Sequence, residues 1–223
     1  MKVNLISITK PIIISVNGKE FSAEDLIVYI ARVSNPSNQM NTATSGKLLK
    51  YLIDHKHWSP FEHVSMTVEI VTSRAIAQQI IRHRSFVFQE FSQRYAEVTE
   101  FEPVQLRKQA DKNRQSSTEE FDPEIDLGYT NDLASQVIKD VINDCNTLYT
   151  TLIKAGVAKE CARMVLPLTT QTTIYMTGSV RSWIHYLQQR LDEHTQLEHR
   201  QVAVEVVNIF EKLFPNIYQE VFA

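Results

Sequence analysis

From His63 to Val71 the apolar side chains fall on alternate positions: Val64, Met66, Val68 and Ile70 are interleaved with Ser65, Thr67 and Glu69, up to Val71. A period of two is the pattern of a strand with one buried face. Upstream, Val3 to Ile8 and Ile12 to Val16 read as two short strands, the second closing at the turn pair Asn17-Gly18. Ser22, with Asp25 three residues on, is a weak capping box for a helix whose apolar face is Leu26, Ile27, Ile30 and Val33. A second helix runs through Leu48 to Ile53, and His55 to Pro60 is a loop, because proline disfavours helix at the residue before it. Ser73 caps a third helix, whose apolar run Ala75 to Ile81 leads into Arg82.

Glu97 to Tyr129 is polar and charged, and reads as an excursion over the surface of the fold. A long helix is predicted from about Asn131 to Lys154, a shorter one around Ala158 to Met164, and a strand through Thr172 to Met176. Two helices close the chain, Val180 to Leu191 and Gln196 to Leu213, the first with Val180, Ile184, Leu187 and Leu191 as its core stripe. No repeat or low-complexity tract interrupts this mixture of strands and helices.

With 223 residues and 43% hydrophobic content, the chain suffices for one well-packed domain and is short for two. A net charge of -3 argues against a general nucleic-acid binder, whose electrostatic footprint is basic. The two cysteines, Cys145 and Cys161, form no C-x-x-C pair and read as helix core, which suits a reducing cytoplasm. No apolar run has the length of a membrane span or the form of a signal peptide, so a soluble protein is expected.

The positive charge is local. Arg82, His83, Arg84, Glu90, Ser92, Gln93 and Arg94 fall within one short span. A guanidinium is a planar, permanently charged fork that suits phosphates and ring carbonyls, and several together repel unless an anion joins them. A phosphorylated ligand is the resulting expectation. Gln79 and Arg82 stand one helical turn apart, Arg181 and His185 share a face, and Arg190 points to nearly the opposite side, so one late helix serves two ligands. Two rival readings use the same residues: a nucleotide- or RNA-binding module without catalysis, or a metal-dependent hydrolase built on His55, His57 and His63.

Arg82-His83-Arg84 followed after seven residues by Ser92 resembles the signature of the flavin-dependent thymidylate synthases. His57-Trp58-Ser59-Pro60-Phe61-Glu62-His63, Ala31-Arg32-Val33-Ser34, Ala162 to Pro167 and Arg181 to Arg190 are similar to further elements of that family, in the family's order. The resemblance covers about Ser34 to His194, and separated ordered matches are far more specific than one short pattern. It implies a compact single α+β domain with a mixed or antiparallel sheet, in a homotetramer with shared active sites. It also implies reductive methylation of dUMP to dTMP, with methylenetetrahydrofolate as one-carbon donor and NADPH-reduced FAD as hydride source. Neither nucleic acid nor membrane is an expected partner.

Carried over residue by residue, the resemblance places Gln79, Arg82, Glu90, Ser92, Gln93, Arg94, Arg163 and Arg190 around the nucleotide. It places Ser34, His57, Ser59, Arg82, His83, Arg84, Glu90, Ser179, Arg181 and His185 around the flavin. Ser179 stands where asparagine is frequent, and Gln93 where a small residue is usual. Arg190 is the expected catalytic residue: a fixed guanidinium stabilises the pyrimidine after it loses its ring proton, with no cysteine nucleophile. Ser92 has no histidine placed by sequence to deprotonate it and reads as a hydrogen-bonding contact. Arg163 also fits a local capping role, and His194 and His199 read as surface residues of a helix.

Overall fold

The computed structural model describes residues 1–13, 18, 20–98, 100–129 and 131–223. Strand β1 (Lys2–Ile8) precedes α1 (Ala23–Ala31) and α2 (Ser45–Asp54); then come β2 (Ser65–Ser73), α3 (Arg74–Ile80) and β3 (Val87–Glu90). Ile12 and Ile13 are not in a strand, and the rest of the expected second strand, with Asn17, lies outside the described residues. The polar excursion contains two hairpins, β4 (Arg107–Gln109) with β5 (Ser117–Glu120) and β6 (Glu124–Asp126) with β7 (Asn131–Leu133). Helices α4 (Ala134–Lys154) and α5 (Lys159–Ala162), strand β8 (Gln171–Ser179), and helices α6 (Val180–Arg190), α7 (Leu197–Leu213) and α8 (Pro215–Val221) complete an α+β fold.

The principal sheet has the order β1-β2-β8-β3, every pair antiparallel. On β2 the alternation is realised: Met66, Val68, Ile70 and Thr72 are fully buried. Opposite them Ile174 and Met176 of β8 are buried too, so the two central strands face one core with α6 and α7. Trp183 of α6 is locked over β2 by its indole N–H, which donates to the Met66 carbonyl at 3.1 Å. Gly178 lets Phe86 lie directly on β8: a Cβ there would sit 2.4 Å from the Phe86 ring. Phe86 in turn packs edge-on against Trp183 at 4.7 Å.

Ser22 caps α1 with the reciprocal box: its Oγ accepts from Asp25 N at 3.0 Å and its N–H donates to the Asp25 carboxylate at 3.1 Å. The helix stops at Ala31, so Val33 lies beyond it and is exposed, not on the apolar face. The buried Arg32 ends it, donating to the Asn38 and Asn41 carbonyls and to Thr44 Oγ1, which fixes the loop carrying Ser34. The expected loop at His55 to Pro60 tightens into a 3-10 turn over Ser59–His63. Helix α8 is a third closing helix where two were expected. Its start is capped from a distance: Glu24 accepts from Ile217 N at 2.9 Å and Asn216 Nδ2 at 2.7 Å. Burial raises the Glu24 pKa, against those hydrogen bonds. No helix among the described residues is long and apolar enough to cross a membrane.

Candidate active site

Ser73 Oγ accepts from Ile76 N at 3.3 Å and starts α3, which ends at Ile80. Arg82, His83 and Arg84 therefore sit in the turn before β3 and not on the helix itself. Two bonds shape the turn, His83 N to the Ile80 carbonyl at 3.1 Å and Phe86 N to the His83 carbonyl at 3.2 Å. Helix α6 holds it from the other side, with Ser182 Oγ donating to the Ser85 carbonyl at 3.3 Å. The turn residues are thus presented by contacts between elements far apart in sequence.

A cleft of about 690 Å³ opens between this turn and the C-terminal end of α6. Gln79, Arg82 and Arg190 line it, with Gln115 from the β4–β5 hairpin and Gln196 from the start of α7. Arg190 Nε donates to His83 Nε2 at 2.9 Å, so that nitrogen is bare and the ring proton is on Nδ1. Burial, and then the Arg190 and His185 charges, depress the His83 pKa to about 4, which keeps the ring neutral beside the guanidinium. The terminal nitrogens of Arg190, and the whole guanidinium of Arg82, have no hydrogen-bond or ion-pair partner among the described residues. Asp192, the carboxylate of the same cleft, is engaged by His194 through N–H and Nδ1, both at 2.8 Å. Two cations in one polar cleft, neither paired with its one carboxylate, form an anion-binding arrangement.

The other end of α6 lines a second cavity of about 470 Å³ with Trp58, Glu62, Arg181 and His185. Glu62 accepts from Ser179 Oγ at 2.5 Å and from Arg181 Nη1 at 2.8 Å. The Ser179 bond first, then Arg181, lowers its pKa. Helix α6 therefore lines both cavities, Arg181 and His185 in one and Arg190 in the other. Ser34 lines a shallow depression with Lys47 and Tyr51, outside both. His57 is exposed, its ring edge-on to Tyr51 at 5.9 Å, and Ser59 opens the 3-10 turn beside Trp58.

The remaining expected site residues are not brought into the cleft. Glu90 accepts from Arg74 Nη1 at 2.9 Å and Thr172 Oγ1 at 3.1 Å. Ser92 is exposed and Gln93 buried. Arg94 pairs with Glu160 at 3.4 Å, where both are largely solvated, a pair worth about 0–1 kcal/mol. Arg163 has a buried Nε with no partner among the described residues, and Arg84 is exposed and lines neither cavity. His199 is the clearest correction: it is fully buried on α7, because the helix turns that face to Tyr186 and α3. His194 is exposed, but in the turn between α6 and α7 and not on a helix. Cys161 is exposed and Cys145 only half-buried, so neither is helix core. Gln115 and Gln196 gave no signal in sequence, since a hairpin and a helix start reach the cleft only by tertiary packing. Among the described residues no group of three or more His, Cys, Asp or Glu side chains is placed to hold a metal ion.

Comparison with known proteins bears on this geometry. Residues 19–216 match the family model Thy1, "Thymidylate synthase complementing protein". The chain is 50% identical over 218 residues to the "Probable flavin-dependent thymidylate synthase" of Paramecium bursaria Chlorella virus 1, covering 97% of both chains. It is 49% identical to the flavin-dependent thymidylate synthase of a Synechocystis strain, again covering 97% of each. Among solved structures it is similar to a UMP/dUMP methylase, PolB, from Streptomyces cacaoi bound with 5-Br dUMP. The TM-score is 0.77 at 25% identity, over 98% of this chain and 93% of that one. The chain belongs to the Thy1 family, that of the flavin-dependent thymidylate synthases.

Proposed function

We propose that the protein methylates dUMP to dTMP in the cleft between the Arg82 turn and the end of α6. The observation that carries this reading is the convergence of Gln79, Arg82 and Arg190 there, with both guanidinium groups free of carboxylate partners. Such forks hold a phosphate or a ring carbonyl in a fixed orientation. Arg190 is tethered through Nε alone, so its terminal nitrogens are aimed by His83 without being consumed by it. Fixed in that way, it stabilises negative charge on the pyrimidine after loss of the ring proton, and acts electrostatically, not as a base. Neither cysteine lines the cleft, in keeping with activation that needs no thiolate.

The second cavity fits part of a flavin dinucleotide by the chemistry of its lining: Trp58 and Ile184 offer an apolar wall, and Arg181 and His185 offer N–H donors to phosphate or ring carbonyl oxygens. Ser34, His57, Ser59, His83, Arg84, Glu90 and Ser179 complete the proposed flavin contacts. Bound FAD supplies the hydride. Family membership supports methylenetetrahydrofolate as one-carbon donor and NADPH as reductant, and the unpaired cysteines suit a cytoplasmic setting.

We further propose that the chain acts as one domain in a homotetramer with shared active sites. Glu90, Ser92, Gln93, Arg94 and Arg163 lie outside the cleft, while Val87, Tyr95, Met164 and Leu168 near them are exposed apolar side chains. A second copy covering that surface buries the apolar groups and carries these residues, Arg94 and Arg163 among them, to a neighbour's cleft. Purified protein should be yellow, its flavin bleached by NADPH faster with dUMP present, and should rescue a thymidine-requiring strain lacking its own synthase. Colourless protein that takes up no flavin on reconstitution would refute the reading. Mixing inactive Arg190→Ala and Arg163→Ala subunits should restore partial turnover; no recovery in demonstrably mixed oligomers would count against shared sites.

A further inference from the structure

A single chain of hydrogen bonds runs from the buried core to the wall of the cleft. Tyr186 Oη lies 3.1 Å from His199 Nε2, and His199 Nδ1 lies 3.3 Å from Gln79 Oε1. Gln79 Nε2 donates to Gln196 Oε1 at 2.6 Å, and Gln196 Nε2 donates to Glu198 Oε2 at 2.9 Å. Glu198 is anchored by Arg107 of β4, whose Nη2 donates to Oε1 at 2.7 Å.

The direction of this chain is forced. Burial pushes the Glu198 carboxyl up, but the Arg107 bond and further hydrogen bonds outweigh it and hold the group below the usual range, so it is ionised and only accepts. Gln196 must then turn its nitrogen to Glu198 and its oxygen to Gln79. Gln79 must turn its nitrogen to Gln196 and its oxygen to His199. His199 must donate from Nδ1 and accept on Nε2 from the Tyr186 hydroxyl. The core end accommodates this direction: burial, with the Arg190 and His83 charges, depresses the His199 pKa to about 3. The ring is neutral and has one N–H to give. Burial raises the Tyr186 pKa, so its hydroxyl keeps the proton it donates. Reversing the Gln79 amide sets its N–H against the Nδ1–H of the fully buried His199, and a buried unmatched group is costly.

We infer that His199 is a positioning residue, which with Tyr186 fixes the Gln79 carboxamide so that its second N–H is offered to an oxygen acceptor of the bound nucleotide. This rests on the nucleotide reading of the cleft. A carboxamide free to rotate would present its carbonyl half the time, which repels a phosphate or pyrimidine oxygen. His199 touches no ligand in this scheme and acts only through Gln79.

The test is dUMP affinity by calorimetry on flavin-loaded protein, with melting temperature and flavin content as folding controls. His199→Phe should weaken dUMP binding by about 5-fold, the equivalent of one hydrogen bond. His199→Asn places an amide donor near the position of Nδ1 and should recover most of that loss. Gln79→Ala should weaken binding at least as much, and Gln79→Ala with His199→Phe no further than Gln79→Ala alone. If His199→Phe misfolds, Tyr186→Phe measured with and without Gln79→Ala decides the matter by the same coupling. Additive losses in the double variant, or wild-type affinity in a folded His199→Phe protein, overturn the inference while leaving the nucleotide reading intact. Wild-type protein that does not bind dUMP overturns that reading, and the inference with it.

Discussion

Acidification should destabilise the fold between about pH 6.5 and pH 5, chiefly through His199. The ring is fully buried and faces Tyr186, Gln79, His83 and Arg190; burial first, then the Arg190 and His83 charges, hold its pKa to about 3 against an ordinary value of 6.5. In that window the unfolded chain binds the proton and the folded one does not, so stability is complete above about 6.5 and is lost as pH falls. The slope approaches about 1.4 kcal/mol per pH unit, or about 2 kcal/mol by pH 5. His83, with a pKa depressed to about 4 by burial and Arg190, adds a smaller contribution of the same sign, reduced by its solvent exposure. Glu24 acts oppositely: its carboxyl is raised, so its contribution fades as pH rises above 4.5. The carboxylates with lowered values, Glu62 and Asp192 among them, titrate below the window. Urea unfolding of wild type and His199→Asn, at one protein concentration, isolates the histidine as the difference in pH slope. Identical slopes for the two proteins between pH 7 and 5 would refute the assignment of a buried neutral His199.

Other outcomes are open to direct measurement. Arg190→Ala should keep its flavin yet lose methylation by about 100-fold or more, a loss typical of removing one electrostatic donor; near-normal turnover would exclude the activation role. In the same variant His83 loses a cationic neighbour, and its NMR titration should move up from about 4. Gly178→Ala should cost about 1–3 kcal/mol in chemical denaturation, because the new methyl meets the Phe86 ring and Phe86 is backed by Trp183. Ser22→Ala should cost about 1 kcal/mol with little change in activity, since it removes a cap remote from both cavities.

Much of the framework was legible because it is local. The β2 alternation, the Ser22 box, the Ser73 cap and the stripe on α6 each rest on spacings of a few residues. Helix α8 was missed because only one residue separates it from α7 and its cap is Glu24, far away in sequence; Pro215 at its first position was the available sign. The two hairpins after Glu97 were missed because their strands are short and exposed, without the alternation that burial imposes. The partition of α6 into Arg181 and His185 on one side and Arg190 on the other was readable from the helical repeat alone.

The sequence by itself determined most helical and extended segments of the core, though not β3 or α8, and the arginine-rich segment and, through ordered motifs, the family, since each depends on residue type and short spacing. Only the tertiary structure decided that Arg82 and Arg190 share a cleft while Arg94 and Arg163 do not, and that His199 is buried. The physical reason is that a residue's face on a helix is local geometry. What that face meets is set by which other element packs there, and burial, tautomer and charge state follow from that meeting.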